Sequence, residues 1–161
     1  MRARNRWGWG FEDAAFSTAD ARAAAPGLVG LLGFGESDPE EPAPFDPSAL
    51  PAPRVVCPPH LDGICAADPA TRAAHARGQS YLDTVRGLRG RYEHVPDVVA
   101  RPRETREIEA VLEWAGAANA AVGNDGGGTS VVGGVEPRVP DRFDGAVTID
   151  LGAIDLSLIH I

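Results

Sequence analysis

Residues 120 to 137 read AAVGNDGGGTSVVGGVEP, and the fold turns on what such a run is for. Three consecutive glycines, a Thr-Ser pair, two valines and two more glycines are too flexible for a helix and too poor in side chains for a core strand. The run strips the Cβ atoms from one short length of backbone. Something needs to approach that backbone closely.

The flanks say where this backbone lies. Upstream, ETREIEAVLEWAGAAN (104–119) puts Ile108, Val111, Leu112, Ala115 and Ala118 at helical spacing. Glu104 and Glu107 fall in the first turn, where the helix dipole favours acids, and Asn119 suits the helix end. Before the helix, PDVVA (96–100) is a short apolar strand closed by Pro102, which disfavours helix at Arg101. After it, AAV (120–122) is a brief strand leading into the glycine loop, and GAVTIDLG (145–152) is a third. Strand, helix, strand, loop, strand is an α/β unit with its loop at a strand's carboxyl end, where open sheets bind ligands.

Three phosphate-binding designs compete for that loop. The dinucleotide fingerprint needs glycines at i, i+2 and i+5; Gly126 and Gly128 fit, but Val131 stands in the third place and no helix pattern follows. A P-loop needs lysine after its last glycine. Gly123 and Gly128 have the spacing, but Thr129 stands where the lysine belongs. The third design is a nest, in which successive amides point into one concavity and hold an anion. Gly126, Gly127 and Gly128 would permit positive φ, and Thr129 and Ser130 would add hydroxyl donors. A plain glycine-rich surface turn or linker is the competing reading, although TSVVGG continues into apolar residues instead of Ser/Gly repeats.

Composition bounds the rest. The chain has 161 residues, the length of one ordinary domain, and 15 basic against 23 acidic residues give a net charge of −8. That balance excludes a typical nucleic-acid binder. Every basic residue is arginine, so no lysine can serve a P-loop or a Schiff base. No run of ~18 apolar residues marks a transmembrane helix, and MRARNRWGWG lacks the apolar stretch of a secretory signal. Cys57 and Cys65 do not make a disulfide framework, and a soluble, reducing, cytoplasmic setting is expected.

Along the chain we expect a Trp/Gly- and Ala-rich N-terminal segment (1–35), with a short helix and then a glycine-loosened apolar turn. A Pro-rich linker (36–60) follows; residues 36 to 59 hold 8 of the 14 prolines, which favour an extended connector. A helical connector (61–91) has its helix near Thr71 to Leu88. The α/β unit occupies 92–161.

RYEHVPDVVARPRETREIEAVLEWAGAANAAVGNDGGGTSVVGGVEP (91–137) resembles the start of the p-cresol methylhydroxylase-type FAD-binding domain of the vanillyl-alcohol oxidase superfamily. Within it, GGGTSVVGGVEP and the N-terminal RWGWG look most like the alkylglycerone-phosphate synthase branch and its FAD-linked oxidase relatives. The resemblance covers residues 91 to 155. It implies an α/β (α+β) fold, the first subdomain of such a domain, preceded by an irregular, partly helical N-terminal segment. It implies that backbone amides hold the FAD pyrophosphate at Asn124, Asp125, Gly126, Gly127, Gly128, Thr129 and Ser130. Two positions depart from the family's pattern, which has proline where Asn124 stands and an apolar residue where Asp125 stands. A carboxylate beside a pyrophosphate is repulsive by roughly 1 kcal/mol at partial exposure, so Asp125 counts against the affinity of the site unless its side chain turns to solvent. No His or Cys lies between residues 95 and 159, so FAD would be noncovalent. The family's enzymes are much longer, which implies that this chain is an N-terminal piece of a flavin-dependent oxidoreductase or alkylglycerone-phosphate synthase-like enzyme. That piece is expected to be inactive alone, its substrate a small molecule of unknown identity and the full enzyme a possible homodimer. The closing DLSLIHI fits either a continuing strand or foreign sequence joined to the coding region. The alternatives are a non-catalytic nucleotide or anion-binding module, or an incompletely folded fragment with an open sheet edge.

Other residues carry weaker signals. Cys57, His60 and Cys65, with Asp62 or His75, could ligate a metal, but their spacing matches no common zinc module. Trp7, Trp9 and Phe11 could line a pocket and more often anchor a terminus by packing. His94 reads as a cap or surface residue.

Overall fold

The computed structural model describes residues 4–154; the DLSLIHI segment lies outside them. Among the described residues there are four α-helices: α1 (Thr18–Leu32), α2 (Pro69–Ala74), α3 (Tyr81–Leu88) and α4 (Thr105–Ala117). Four strands, β1 (Cys65–Ala66), β2 (Val98–Ala100), β3 (Ala120–Asp125) and β4 (Gly145–Asp150), form one mixed sheet in the order β1-β2-β4-β3. β1 runs antiparallel to β2, and the other pairs are parallel. This is the mixed α/β architecture expected. Among the described residues no helix is long and apolar enough to cross a membrane.

The predicted strand–helix–strand unit is present, with β4 inserted between β2 and β3. Every residue of β4 is buried, as a strand with neighbours on both sides and covered faces must be, whereas β3 alternates as the sheet's edge. α4 turns Val111 and Ala115 into the core with Val55, Leu61, Ile64, Ala100, Val147 and Ile149. Leu112, expected on that face, is 48% exposed, a position off the helix's buried stripe. Glu104 is the extended N-cap, not a first-turn residue, while Glu107 in the first turn accepts from the Arg103 backbone N–H at 2.6 Å. Asn119 follows the C-cap Ala118 at φ 48°, and its amide donates to the Arg142 carbonyl, which fixes the turn into β3.

Asp97 joins the connector to the sheet. Its buried carboxylate accepts from the backbone N–H of Arg54 at 2.9 Å and of Ala146 at 2.6 Å, and pairs with the Arg54 guanidinium.

Three expectations are corrected. The single helix from Thr71 to Leu88 is two helices. Ser80 and Asp83 form a reciprocal capping box that starts α3 afresh, and the chain at Gly78 presses against the glycine loop. The N-terminal segment carries one helix of 15 residues that continues through Pro26 and ends at Gly33 in the left-handed region; its Ser17–Asp20 capping box sets the start. Only Ala25 of α1 is buried, so little of the core rests on this helix. Finally, Cys57 and Cys65 are joined in a disulfide with Cα atoms 6.5 Å apart, which ties the connector to β1. Both thiols are therefore engaged, and the reducing setting inferred from unpaired cysteines loses that support.

Candidate functional site

The glycine loop leaves β3 at the carboxyl ends of β3 and β4, where Asp125 and Asp150 are register partners. A cavity of about 730 Å³ opens beside it. The loop supplies one wall through Gly126, Gly127, Gly128 and Thr129; β4 supplies Asp150, α2 supplies Thr71, and the N-terminal arm closes the other side with Arg4, Trp9 and Phe11. Trp9, 58% exposed, and Phe11 line this cavity instead of sinking into the core, whereas Trp7 does not line it.

The structure sorts the seven expected loop residues. Gly126 to Thr129 bound the cavity together. Gly128 lies at φ 67°, in the region that favours glycine, and a Cβ at Gly126 would meet nothing within 4 Å. The amides of Gly127, Gly128 and Thr129 have no acceptor among the described residues. Asn124 and Asp125 belong instead to β3, which runs to Asp125 and not only to Val122. Asn124 is exposed on that edge strand and Asp125 is buried. Ser130 is committed elsewhere: its hydroxyl accepts from the Gly134 N–H at 3.1 Å and its carbonyl from the Gln79 N–H at 2.7 Å.

Asp125 does not turn to solvent. It is 1% exposed, and its Oδ1 accepts from Arg4 Nη1 at 2.8 Å. Burial would leave an unpaired carboxylate intolerable, and the arginine from the far end of the chain supplies the countercharge. Arg4 Nη2 also donates to the Gly126 carbonyl at 2.7 Å and reaches Asp150 at 3.4 Å. Arg101 and His75 approach the other oxygen of Asp150 at 3.3 and 3.1 Å. Burial raises the pKa of Asp150, but hydrogen bonds from His75 and the Gly152 N–H and the Arg4 charge outweigh it, bringing it down to about 2. The carboxylate is ionised, and it sits among cations.

His75, which the sequence offers only as a possible fourth metal ligand, is 1% exposed. Its Nδ1 faces the Thr71 carbonyl at 2.8 Å and its Nε2 faces Asp150. No cluster of three or more metal-ligating side chains occurs among the described residues. His94 is exposed, as expected. Sequence reasoning missed Arg4, Arg101 and Asp150. Arg4 and Arg101 lie far from the loop in sequence, and Asp150 looked like one more residue of a strand.

The loop suits a diphosphate group. It offers free amides, glycines at the contact points, a hydroxyl at Thr129 and guanidinium groups nearby. The one discordant feature is the buried Asp125 Oδ2, which has no hydrogen-bond partner among the described residues.

The chain is 32% identical over 84 residues to an alkyldihydroxyacetonephosphate synthase of Dictyostelium discoideum, covering 52% of this chain and 13% of the relative. It is 34% identical over 84 residues to the corresponding Trypanosoma brucei brucei synthase, covering 52% of this chain and 14% of that protein. Two solved structures of alkyldihydroxyacetonephosphate synthase, in P1 and P212121 crystal forms, share its fold at a TM-score of 0.55 and 30% identity, over 61% of this chain and 18% of theirs. No family model matches. The chain thus spans a small part of the length of these relatives, and both its sequence and its fold place the resemblance on the alkylglycerone-phosphate synthase and FAD-linked oxidase branch.

Proposed function

We propose that this chain is the cofactor-holding N-terminal part of an alkylglycerone-phosphate synthase-like flavoenzyme, with the FAD pyrophosphate seated noncovalently on the glycine loop. The observation that carries the reading is the set of amides at Gly127, Gly128 and Thr129 that have no acceptor among the described residues, on residues that line a cavity also walled by Arg4 and Arg101. When bound, FAD would supply the reaction's electron-accepting chemistry. The chain's own residues would hold the diphosphate, and Trp9 and Phe11 would limit water on the arm side. A substrate pocket and the chemical step would need the longer protein, and the piece alone would be inactive.

Fluorescence titration of the purified chain with FAD tests this. Saturable quenching, competed by ADP, supports it. Failure to bind FAD at high micromolar concentration refutes it. The cavity's cations would also suit a simple nucleotide module, and ADP binding as tightly as FAD would favour that second reading.

A further inference from the structure

Arg4 is held where no local rule of the sequence would put it. The guanidinium spans the carboxyl ends of the two parallel strands, bonded to Asp125 on β3 and to the first glycine carbonyl, with Asp150 on β4 at 3.4 Å. Its place depends on Gly128, where a Cβ would come 3.0 Å from Nη1. The side chain is 22% exposed and forms part of the cavity wall. A guanidinium has five N–H donors, and these contacts engage three of them. Donors remain for an oxygen anion lying on the loop.

Asp125 alone would oppose such an anion. It is buried directly under Gly128, both of its oxygens 3.7 Å from where a Cβ of that residue would stand. Arg4 reverses that sign, because one cation shared by two carboxylates and a ligand phosphate keeps the three anionic groups apart electrostatically and joined by hydrogen bonds. Arg101 and His75 add donors on the Asp150 side. An arginine is suited to this task because its planar fork can address several oxygens at once.

We propose that Arg4 is a direct phosphate ligand of the glycine loop, and that Asp125 is a positioning residue that delivers it. The proposal rests on the diphosphate reading above and adds to it a specific cation from the N-terminal arm. The pair is complementary: a buried carboxylate at the end of β3, and an arginine brought across the sheet to neutralise it. In this chain, which has no lysine, the arm brings the cation that the loop lacks.

The test is calorimetric titration of the 161-residue chain with FAD and with ADP, using wild type, Arg4→Gln, Arg4→Lys and the double variant Arg4→Gln/Asp125→Asn. Arg4→Gln should weaken both ligands by about tenfold or more, the scale of a charge-assisted hydrogen bond, and Arg4→Lys by less. The double variant should recover part of the loss, because the buried charge that repels the ligand is gone. Full recovery in the double variant would mean that Arg4 acts only by neutralising Asp125 and overturns its role as a ligand, and thermal melts separate loss of fold from loss of affinity. Unchanged affinity in Arg4→Gln, with wild type binding normally, overturns this proposal and leaves the loop reading standing. Arg4→Gln affinity that falls without recovery in a double variant that melts normally also overturns it. Absence of FAD and ADP binding by wild type overturns both.

Discussion

His75 Nε2 lies 3.1 Å from Asp150 Oδ2 while its Nδ1 lies 2.8 Å from the Thr71 carbonyl oxygen. Both partners accept, so the imidazole satisfies them together only with a hydrogen on each ring nitrogen. The pair bolts α2 to the carboxyl end of β4. It is part of the reason α2 lines the cavity at all.

Asp150 makes the fold sensitive to acid. Its folded pKa of about 2 lies below the ordinary 3.8, so its contribution to stability is complete above about pH 4 and lost as pH falls toward 2. The difference corresponds to roughly 2 kcal/mol. Asp150→Asn should therefore lower the unfolding free energy by about that amount at pH 7 and by much less near pH 2. Urea titrations at the two pH values check this; an equal loss at both would show that Asp150 acts by shape alone.

Gly78 is the point at which the α2–α3 connection touches the glycine loop. A Cβ there would stand 2.1 Å from the Ser130 carbonyl oxygen, a backbone atom that cannot swing aside as a side chain can. Gly78→Ala should cost on the order of 1–3 kcal/mol and weaken FAD binding as the loop shifts. A thermal melt equal to wild type would mean the two segments separate freely.

Asp97, 2% exposed, receives the Arg54 and Ala146 amides and the Arg54 guanidinium. Asp97→Ala strands buried donors, and a loss of about 3 kcal/mol is expected. Asp97→Asn keeps one acceptor oxygen and should lose less. Chemical denaturation of the two variants ranks them, and an equal loss in both would assign Asp97 a packing role.

The disulfide closes a loop between residues eight apart. Removing that constraint from the unfolded chain corresponds to about 2–3 kcal/mol. Reduction with dithiothreitol, or Cys57→Ser with Cys65→Ser, should lower the melting temperature by several degrees, while FAD affinity holds because neither cysteine bounds the cavity.

Much of the site's scaffold was legible in the sequence. The 3.6-residue period of α4 and the apolar runs of β2 and β4 report local burial. The loop's glycines report what they omit. What escaped is what depends on distance along the chain. Nothing near Asp125 shows that Arg4, 121 residues away, neutralises it, so in the sequence the carboxylate reads as a liability to phosphate binding unless it turns to water. The break between α2 and α3 was missed because the Ala-rich run up to Ala76 favours helix, while Gly78, at the break, packs against the Ser130 carbonyl, a contact distant in sequence. The cysteine pairing likewise follows from the turn at 58–64, whose shape two letters do not encode.

The position of β3 at the sheet's border has a consequence for amide hydrogen exchange. β4 is bonded on both sides by β2 and β3, and its protons should exchange only when the whole sheet opens. Along β3, only one side of the backbone meets a neighbour, so protection should alternate from one residue to the next. A deuterium pulse would read the sheet as a gradient, slow at Val147 to Ile149 and fast at every second amide from Ala120 to Asp125. The stretch nearest the glycine loop would then be the first to report the arrival of a ligand.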